Sequence, residues 1–206
     1  MINPLPYALL LASFIPALAQ AQDTYQLPDG STGQGKLFYI FGSGELQVRQ
    51  PKKDKLFLRP AAVKSFTWHG QRFEPVFNFT VPRKEGGTKQ VSADFAMVVD
   101  TGRVCLLNYI YSYDALAMAS NNAITTRRVH MQTYLLNPRN GQPMLAVRDK
   151  SGPLIDESFN AEDYQLLLKV FNNDPELEQL IAQHRLNGKT LPDYVRAYNQ
   201  RARQKS

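Results

Sequence analysis

Val91-Ser92-Ala93-Asp94-Phe95-Ala96-Met97-Val98-Val99 and Arg103-Val104-Cys105-Leu106-Leu107-Asn108-Tyr109-Ile110-Tyr111 are two apolar runs separated only by Asp100-Thr101-Gly102. Runs this short, rich in Val, Leu, Tyr and Phe, suit a pleated surface better than a helix. The link is too short for a crossover and its glycine can supply a positive φ, so the runs predict an antiparallel hairpin. The pattern extends in both directions. Lys36–Phe41, Glu45–Arg49, Lys55–Arg59, Val63–Trp68 and Arg72–Phe79 read as earlier strands, with turns at Gly42-Ser43-Gly44, His69-Gly70 and Glu85-Gly86-Gly87. Thr126–Leu136 and Pro143–Val147 read as a last hairpin over Asn137-Pro138-Arg139-Asn140-Gly141. Ser112–Thr125 is ambiguous, since Asp114–Ala119 has room for one or two helical turns.

After Gly152-Pro153 the periodicity changes. Asn160 is placed to cap a helix whose Tyr164, Leu167, Leu168 and Phe171 follow i, i+3, i+4, i+7. Asp174-Pro175 marks a second start, with Leu177, Leu180 and Ile181 inside and Gly188 past the end. Thr190-Leu191-Pro192-Asp193 starts a third, carrying Tyr194, Val195 and Tyr198 into a basic tail. The expected fold is therefore α+β, an antiparallel β meander or small barrel followed by three short C-terminal helices. Its expected parts are a signal peptide at 1–21, a flexible lead-in at 22–35, the β region at 36–152 and the helical region with its basic tail at 153–206.

The signal peptide rests on Leu5–Leu18, an apolar run broken by Pro6, Ser13 and Pro16 and too short to span a bilayer as a helix. Ala19-Gln20-Ala21 supplies the small-x-small cleavage site, leaving Gln22 as the first mature residue. No cysteine follows it for lipidation, and no membrane-spanning segment is expected in the mature chain. The expected location is the periplasm or outside the cell.

With 206 residues, 43% hydrophobic and 20% charged, the chain is neither disordered throughout nor a many-spanning membrane protein. A single cysteine, Cys105, excludes an intramolecular disulfide, and His69, His130 and His184 give no zinc-ligand spacing. Gly30–Lys36 matches the first seven positions of the phosphate-binding pattern G-x-x-x-x-G-K, but Leu37 stands where a hydroxyl must reach magnesium. No cofactor or metal is expected. Val98-Val99-Asp100-Thr101-Gly102 is like the aspartic-protease motif for five residues. Arg103 then replaces the small residue expected, and no second copy occurs, so a tight hairpin explains these residues better. Cys105, within an apolar strand, reads as a buried inert thiol.

The formal net charge is +6. Basic residues gather at Lys52-Lys53-Lys55-Arg59, Arg83-Lys84, Arg127-Arg128 and Arg196, Arg201, Arg203, Lys205. They read as solvated loops and tail, with an anionic surface as the functional alternative and nucleic acid disfavoured for want of an RNA-binding aromatic signature. Trp68, Phe73, Phe77 and Phe79 sit mostly at strand spacing and read as core.

The order of features resembles a family of uncharacterised exported proteins of Bacteroidetes-type bacteria. The likeness rests on Arg59-Pro60-Ala61-Ala62-Val63-Lys64-Ser65-Phe66, the Met97–Tyr109 hairpin, the Gln132–Leu136 strand, and Leu168-Lys169-Val170-Phe171 through Leu177 to Tyr198-Asn199. Members often carry a cysteine near the segment matching Asp174-Pro175-Glu176-Leu177, which here has none. The resemblance implies export and a β-then-α layout, and it assigns no catalytic, cofactor-binding or metal-binding residue. The function expected is a non-enzymatic envelope or secreted binding module whose partner is a protein or an anionic envelope component. The alternative is a hydrolase assembled from distant strands, with Asp94, Asp100, His69 and His130 as its candidates.

Overall fold

The computed structural model describes residues 23–50, 54–82, 88–118, 124–138, 144–148 and 159–204. The expected signal peptide and the basic residues Lys52, Lys53, Arg83, Lys84 and Lys205 lie outside them. Strands β1 (Thr24–Gln26), β2 (Thr32–Gln34), β3 (Lys36–Tyr39), β4 (Leu46–Arg49), β5 (Leu56–Leu58), β6 (Ser65–Trp68), β7 (Gln71–Pro82), β8 (Thr88–Asp100), β9 (Cys105–Met118), β10 (Ile124–Asn137) and β11 (Leu145–Arg148) precede helices α1 (Ala161–Val170), α2 (Pro175–Ala182) and α3 (Leu191–Gln204). This is the α+β arrangement the sequence predicts.

The strands form two antiparallel sheets. The larger runs β11-β10-β9-β8-β7-β6-β1-β2, and the smaller is β3-β4-β5. Consecutive pairing from β6 to β11 is the expected meander, while the alternative of a small barrel is not realised, since no ladder among the described residues closes the large sheet. Of the ambiguous stretch Ser112–Thr125, the described residues Ser112–Met118 and Ile124–Thr125 are strand, with β9 and β10 in continuous register from Asn137↔Cys105 to Ile124↔Met118. The helical turn allowed for Asp114–Ala119 does not form over its described residues, Asp114–Met118, because the ladder already satisfies their backbone. Residues 22–35, expected to be a lead-in without elements, contain β1 and β2. Their hairpin pairs Tyr25 with Gly33, and a Cβ on Gly33 would sit 2.2 Å from the Tyr25 ring. The glycine is there to admit the ring.

The long strands are not paired throughout. β7 follows β8 from Phe73↔Met97 to Pro82↔Thr88, but β8 meets β9 only from Met97↔Asn108 to Asp100↔Leu106, with a bulge between Val98 and Asp100. The sheet therefore splits between 88–96 of β8 and 109–118 of β9, and the β3–β4 turn enters this split. A Cβ on Gly44 would lie 3.1 Å from the Ala93 carbonyl oxygen, and one on Gly42 would lie 3.4 Å from Tyr111 Cα. Both glycines have positive φ, 81° and 65° for Gly42 and Gly44 respectively.

Three apolar clusters hold the fold. Leu37, Tyr39, Leu46, Val48 and Leu58 from the small sheet pack on Tyr25, Phe66, Phe73 and Phe95. Val76, Phe79, Leu107, Tyr109 and Leu135 fill a second cluster. The helices lay Leu167, Phe171, Leu177, Leu191, Tyr194 and Val195 over Val104, Leu106, Leu136 and Val147. Of the four aromatics expected as core, Phe73 and Phe79 are buried and Trp68 is partly so. Phe77 is exposed, because Asn78 (φ 52°) breaks the alternation and leaves both Val76 and Phe79 buried in the same cluster.

The helix starts are where local chemistry places them. Asn160 Oδ1 accepts from Asp163 N at 2.7 Å while Asp163 Oδ2 accepts from Asn160 N, a reciprocal capping box. Asp174 Oδ1 accepts from Glu176 N and Leu177 N ahead of α2. The end of α2 differs from expectation. Gly188 does not terminate it; His184, at φ 53°, does. Its N–H donates to Ile181 O and that of Arg185 to Leu180 O, each at 2.9 Å, the paired bonds of a Schellman turn.

Gly102 also plays a different part from the one its sequence position suggests. Its φ is not positive, and a Cβ there would come within 2.4 Å of the Asn199 side chain. Buried Asn199, on α3, accepts from Val104 N at 3.1 Å, donates to Val104 O at 2.8 Å and donates to Asp100 Oδ2. The glycine lets the last helix clasp the β8–β9 hairpin.

Candidate functional site

Alternation on the short strands of the small sheet divides its side chains between two faces. Leu37, Tyr39, Leu46, Val48 and Leu58 point into the core. Phe38, Gln47 and Phe57 are directly opposite one another across the three strands and form the outer face. Ile40 continues the row beyond Phe38. Phe38, Ile40 and Phe57 are 40%, 70% and 52% exposed, which is much apolar surface for one small face. Cations frame it. Lys36 and Arg49, a cross-strand pair, place Lys36 Nζ at 5.4 Å and the Arg49 guanidinium carbon at 4.5 Å from the Phe38 ring centroid. Lys55 and Arg59, both exposed, flank Phe57 at i−2 and i+2 and so fall on the same face. Glu45 is the one carboxylate that alternation adds to it, and neither Lys36 nor Arg49 has an ion-pair partner among the described residues.

A buried carboxylate fixes this face to the rest of the protein. Asp94 Oδ1 accepts from Tyr39 Oη at 2.8 Å, Gly44 N at 3.1 Å and Phe95 N at 2.8 Å; Oδ2 accepts from Tyr109 Oη at 2.8 Å. Tyr39 and Gly44 bracket the β3–β4 turn, and Tyr109 lies on β9 across the split. Asp94 therefore ties the small sheet to both sides of the opening. Burial first, and the Asp94 charge second, push both tyrosine hydroxyls well above the ordinary phenol range. They remain neutral donors at every physiological pH.

Beside the turn lies an open groove of about 360 Å³ lined by Phe41, Ile110, His130, Met131 and Gln132. On its wall His130 Nδ1 is 3.0 Å from Ser112 Oγ. These residues face each other in the β9–β10 register, a separation of 18 positions that no local motif reveals.

The four residues that the sequence singles out for hydrolysis are not gathered. Asp94 is buried on tyrosine and backbone donors. Asp100 accepts from Asn199 on the helical side. His69 lies in a turn with φ 51°, its N–H donating to Asp23 and its ring against Trp68. His130 alone lines the groove, and its hydrogen-bond partner is a serine. In the basic tail Arg196 and Arg203 are exposed, as the solvated reading expects, and Arg201 is partly so, yet each has a partner. Arg201 pairs with Asp174 and Glu176, Arg196 with Asp193, and Arg203 donates to Thr101 O. Ser112 and the Phe38–Phe57 face are what sequence reasoning missed. The face had a signal, Lys36-x-Phe38 and Lys55-x-Phe57-x-Arg59, in which cations share an aromatic's side of the strand at a period of two. No group of three or more His, Cys, Asp or Glu residues among the described residues is arranged to hold a metal ion, and no helix among them is long and apolar enough to cross a membrane. No family model, curated protein or solved structure matches the chain.

Proposed function

We propose that this is an exported, non-enzymatic binding module that engages its partner through the outer face of the β3-β4-β5 sheet. The observation that carries the reading is the row Phe38-Gln47-Phe57 with Ile40, exposed and framed by Lys36, Arg49, Lys55 and Arg59. An aromatic patch held open costs free energy in water, and among the described residues helices cover the β9–β11 surface while no element lies over this one. The test is affinity capture from the native envelope with the mature chain, beside a Phe38→Ser/Phe57→Ser variant. Retention of partner by the wild type and its loss by the variant is the expected result; equal capture by both overturns the reading. N-terminal sequencing of the exported protein tests cleavage after Ala21, and Met1 retained on a cytoplasmic species overturns export.

A hydrolase is the second reading, and the Ser112–His130 contact on the groove wall is the observation that favours it. A serine hydroxyl bonded to an imidazole is the core of an activated nucleophile. Covalent labelling of Ser112 by a fluorophosphonate, abolished in His130→Ala, supports it; absence of labelling at Ser112 removes it.

A further inference from the structure

Resting on the proposed role of the small-sheet face, we propose that its occupant is an anionic phospholipid bilayer, with Phe38, Ile40 and Phe57 entering the headgroup boundary and Lys36, Arg49, Lys55 and Arg59 meeting the phosphates. Three features of the face lead to this partner. The first is size. Three strands of three or four residues give a platform about 10 Å across and about 13 Å along the strands, far less than the roughly 800 Å² per partner of a stable protein interface. A bilayer needs no such area, because a few apolar side chains and cations suffice for reversible attachment.

The second is the arrangement of charge. The Lys36 ammonium and the Arg49 guanidinium lie over the Phe38 ring, so that two cations and an aromatic form one amphipathic unit at the edge of the face. This amphipathic geometry keeps the cations at the depth of phosphate when the ring enters the acyl boundary. It also covers the ring face that a nucleic-acid base would stack upon. The third is sign. Four cations against Glu45 make the face positive, so a second copy of the same face is repelled. The tail arginines, which would otherwise compete for the anionic surface, are engaged by Asp174, Glu176, Asp193 and Thr101 O.

The experiment is flotation of the mature chain with vesicles of phosphatidylcholine alone or with one third phosphatidylglycerol, at low and high salt. The expected result is binding to the anionic vesicles only, weakened by salt. Lys36→Gln/Arg49→Gln lowers the partition coefficient about 10-fold to 30-fold, on the scale of one phosphate-attracted cation each. Phe38→Ser/Phe57→Ser lowers it at least about tenfold through lost apolar burial. Near-ultraviolet circular dichroism of Trp68, packed on Tyr39 and Phe73, shows that each variant is folded. Equal binding to neutral vesicles, or equal binding by folded variants, overturns the proposal. So does failure to bind any vesicle. In that case photo-crosslinking from position 57 in the envelope separates the two claims. Crosslinks to a protein or nucleic acid that vanish with Phe38→Ser leave the binding-module reading standing with a different partner, and their absence removes both.

Discussion

The helices over β9–β11 and the small sheet over β1, β6, β7 and β8 cover two parts of one large sheet in opposite ways. The helical layer largely closes on itself: its apolar stripe is buried, the starts of α1 and α2 are capped, and its arginines are paired or hydrogen-bonded, the buried Tyr194 hydroxyl being the exception. The small sheet buries most of one face but turns phenylalanines outward on the other, beside Lys36 and Arg49, which have no carboxylate partner among the described residues. Two coverings built from a similar store of aromatic and basic residues thus differ in what they leave unsatisfied. An unsatisfied surface on an otherwise well-completed fold is where a partner is to be sought.

The largest effect expected from breaking this contrast is at Phe171. It is buried and lies edge-on to Tyr194 and Tyr198, at 5.0 and 4.9 Å between ring centroids. Phe171→Ala is expected to cost about 3 to 5 kcal/mol in a urea titration. On the small sheet the corresponding weak point is polar. Tyr39→Phe removes one donor from a buried carboxylate and is expected to cost about 1 to 3 kcal/mol. It also carries a pH signature. The folded-state pKa values of Tyr39 and Tyr109 are raised, so the fold holds the neutral phenols. Their contribution is complete below the unfolded-state value of about 10 and is lost as pH rises above it. The drop in unfolding free energy between pH 9 and pH 11 is therefore expected to be smaller in Tyr39→Phe than in wild type; an equal drop would sink this account of the Asp94 cluster.

Smaller effects sharpen the same comparison. His184→Gly relieves a left-handed side chain at the end of α2 and is expected to stabilise the protein by up to about 1 kcal/mol. Phe57→Ser, on the open face, is expected to change stability by less than about 0.5 kcal/mol while changing binding. A large destabilisation there would mean that the face belongs to the core.

What was legible in the sequence follows the range of the interactions responsible. Asn160 with Asp163, and Asp174 with Pro175, announce their helices because a cap is satisfied within three residues. The tip of the Val91–Tyr111 hairpin, from Met97 to Asn108, is legible for the same reason, while the split beyond it is not. The β1–β2 hairpin was not, since its one buried apolar residue, Tyr25, lies opposite a glycine eight positions away, and a glycine-rich run has no periodicity. Ser112 and His130 meet through ladder register, and Asp94 meets Tyr39 through the insertion of a turn into a split sheet, neither of which leaves a local trace. Phe38 and Phe57 were hidden differently. On a strand with apolar residues on both faces, composition alone does not say which face water sees.

The wedge formed by the β3–β4 turn has a mechanical meaning. Because Asp94 grips it from β8 and Tyr109 closes on the same carboxylate from β9, the small sheet cannot peel away without exposing a charge and three donors together. A pull applied at Phe38 or Phe57 is delivered to the middle of the large sheet, not to a hinge. The Gly44 amide should accordingly exchange its hydrogen only when the whole chain opens, making the platform rigid with the body that carries it.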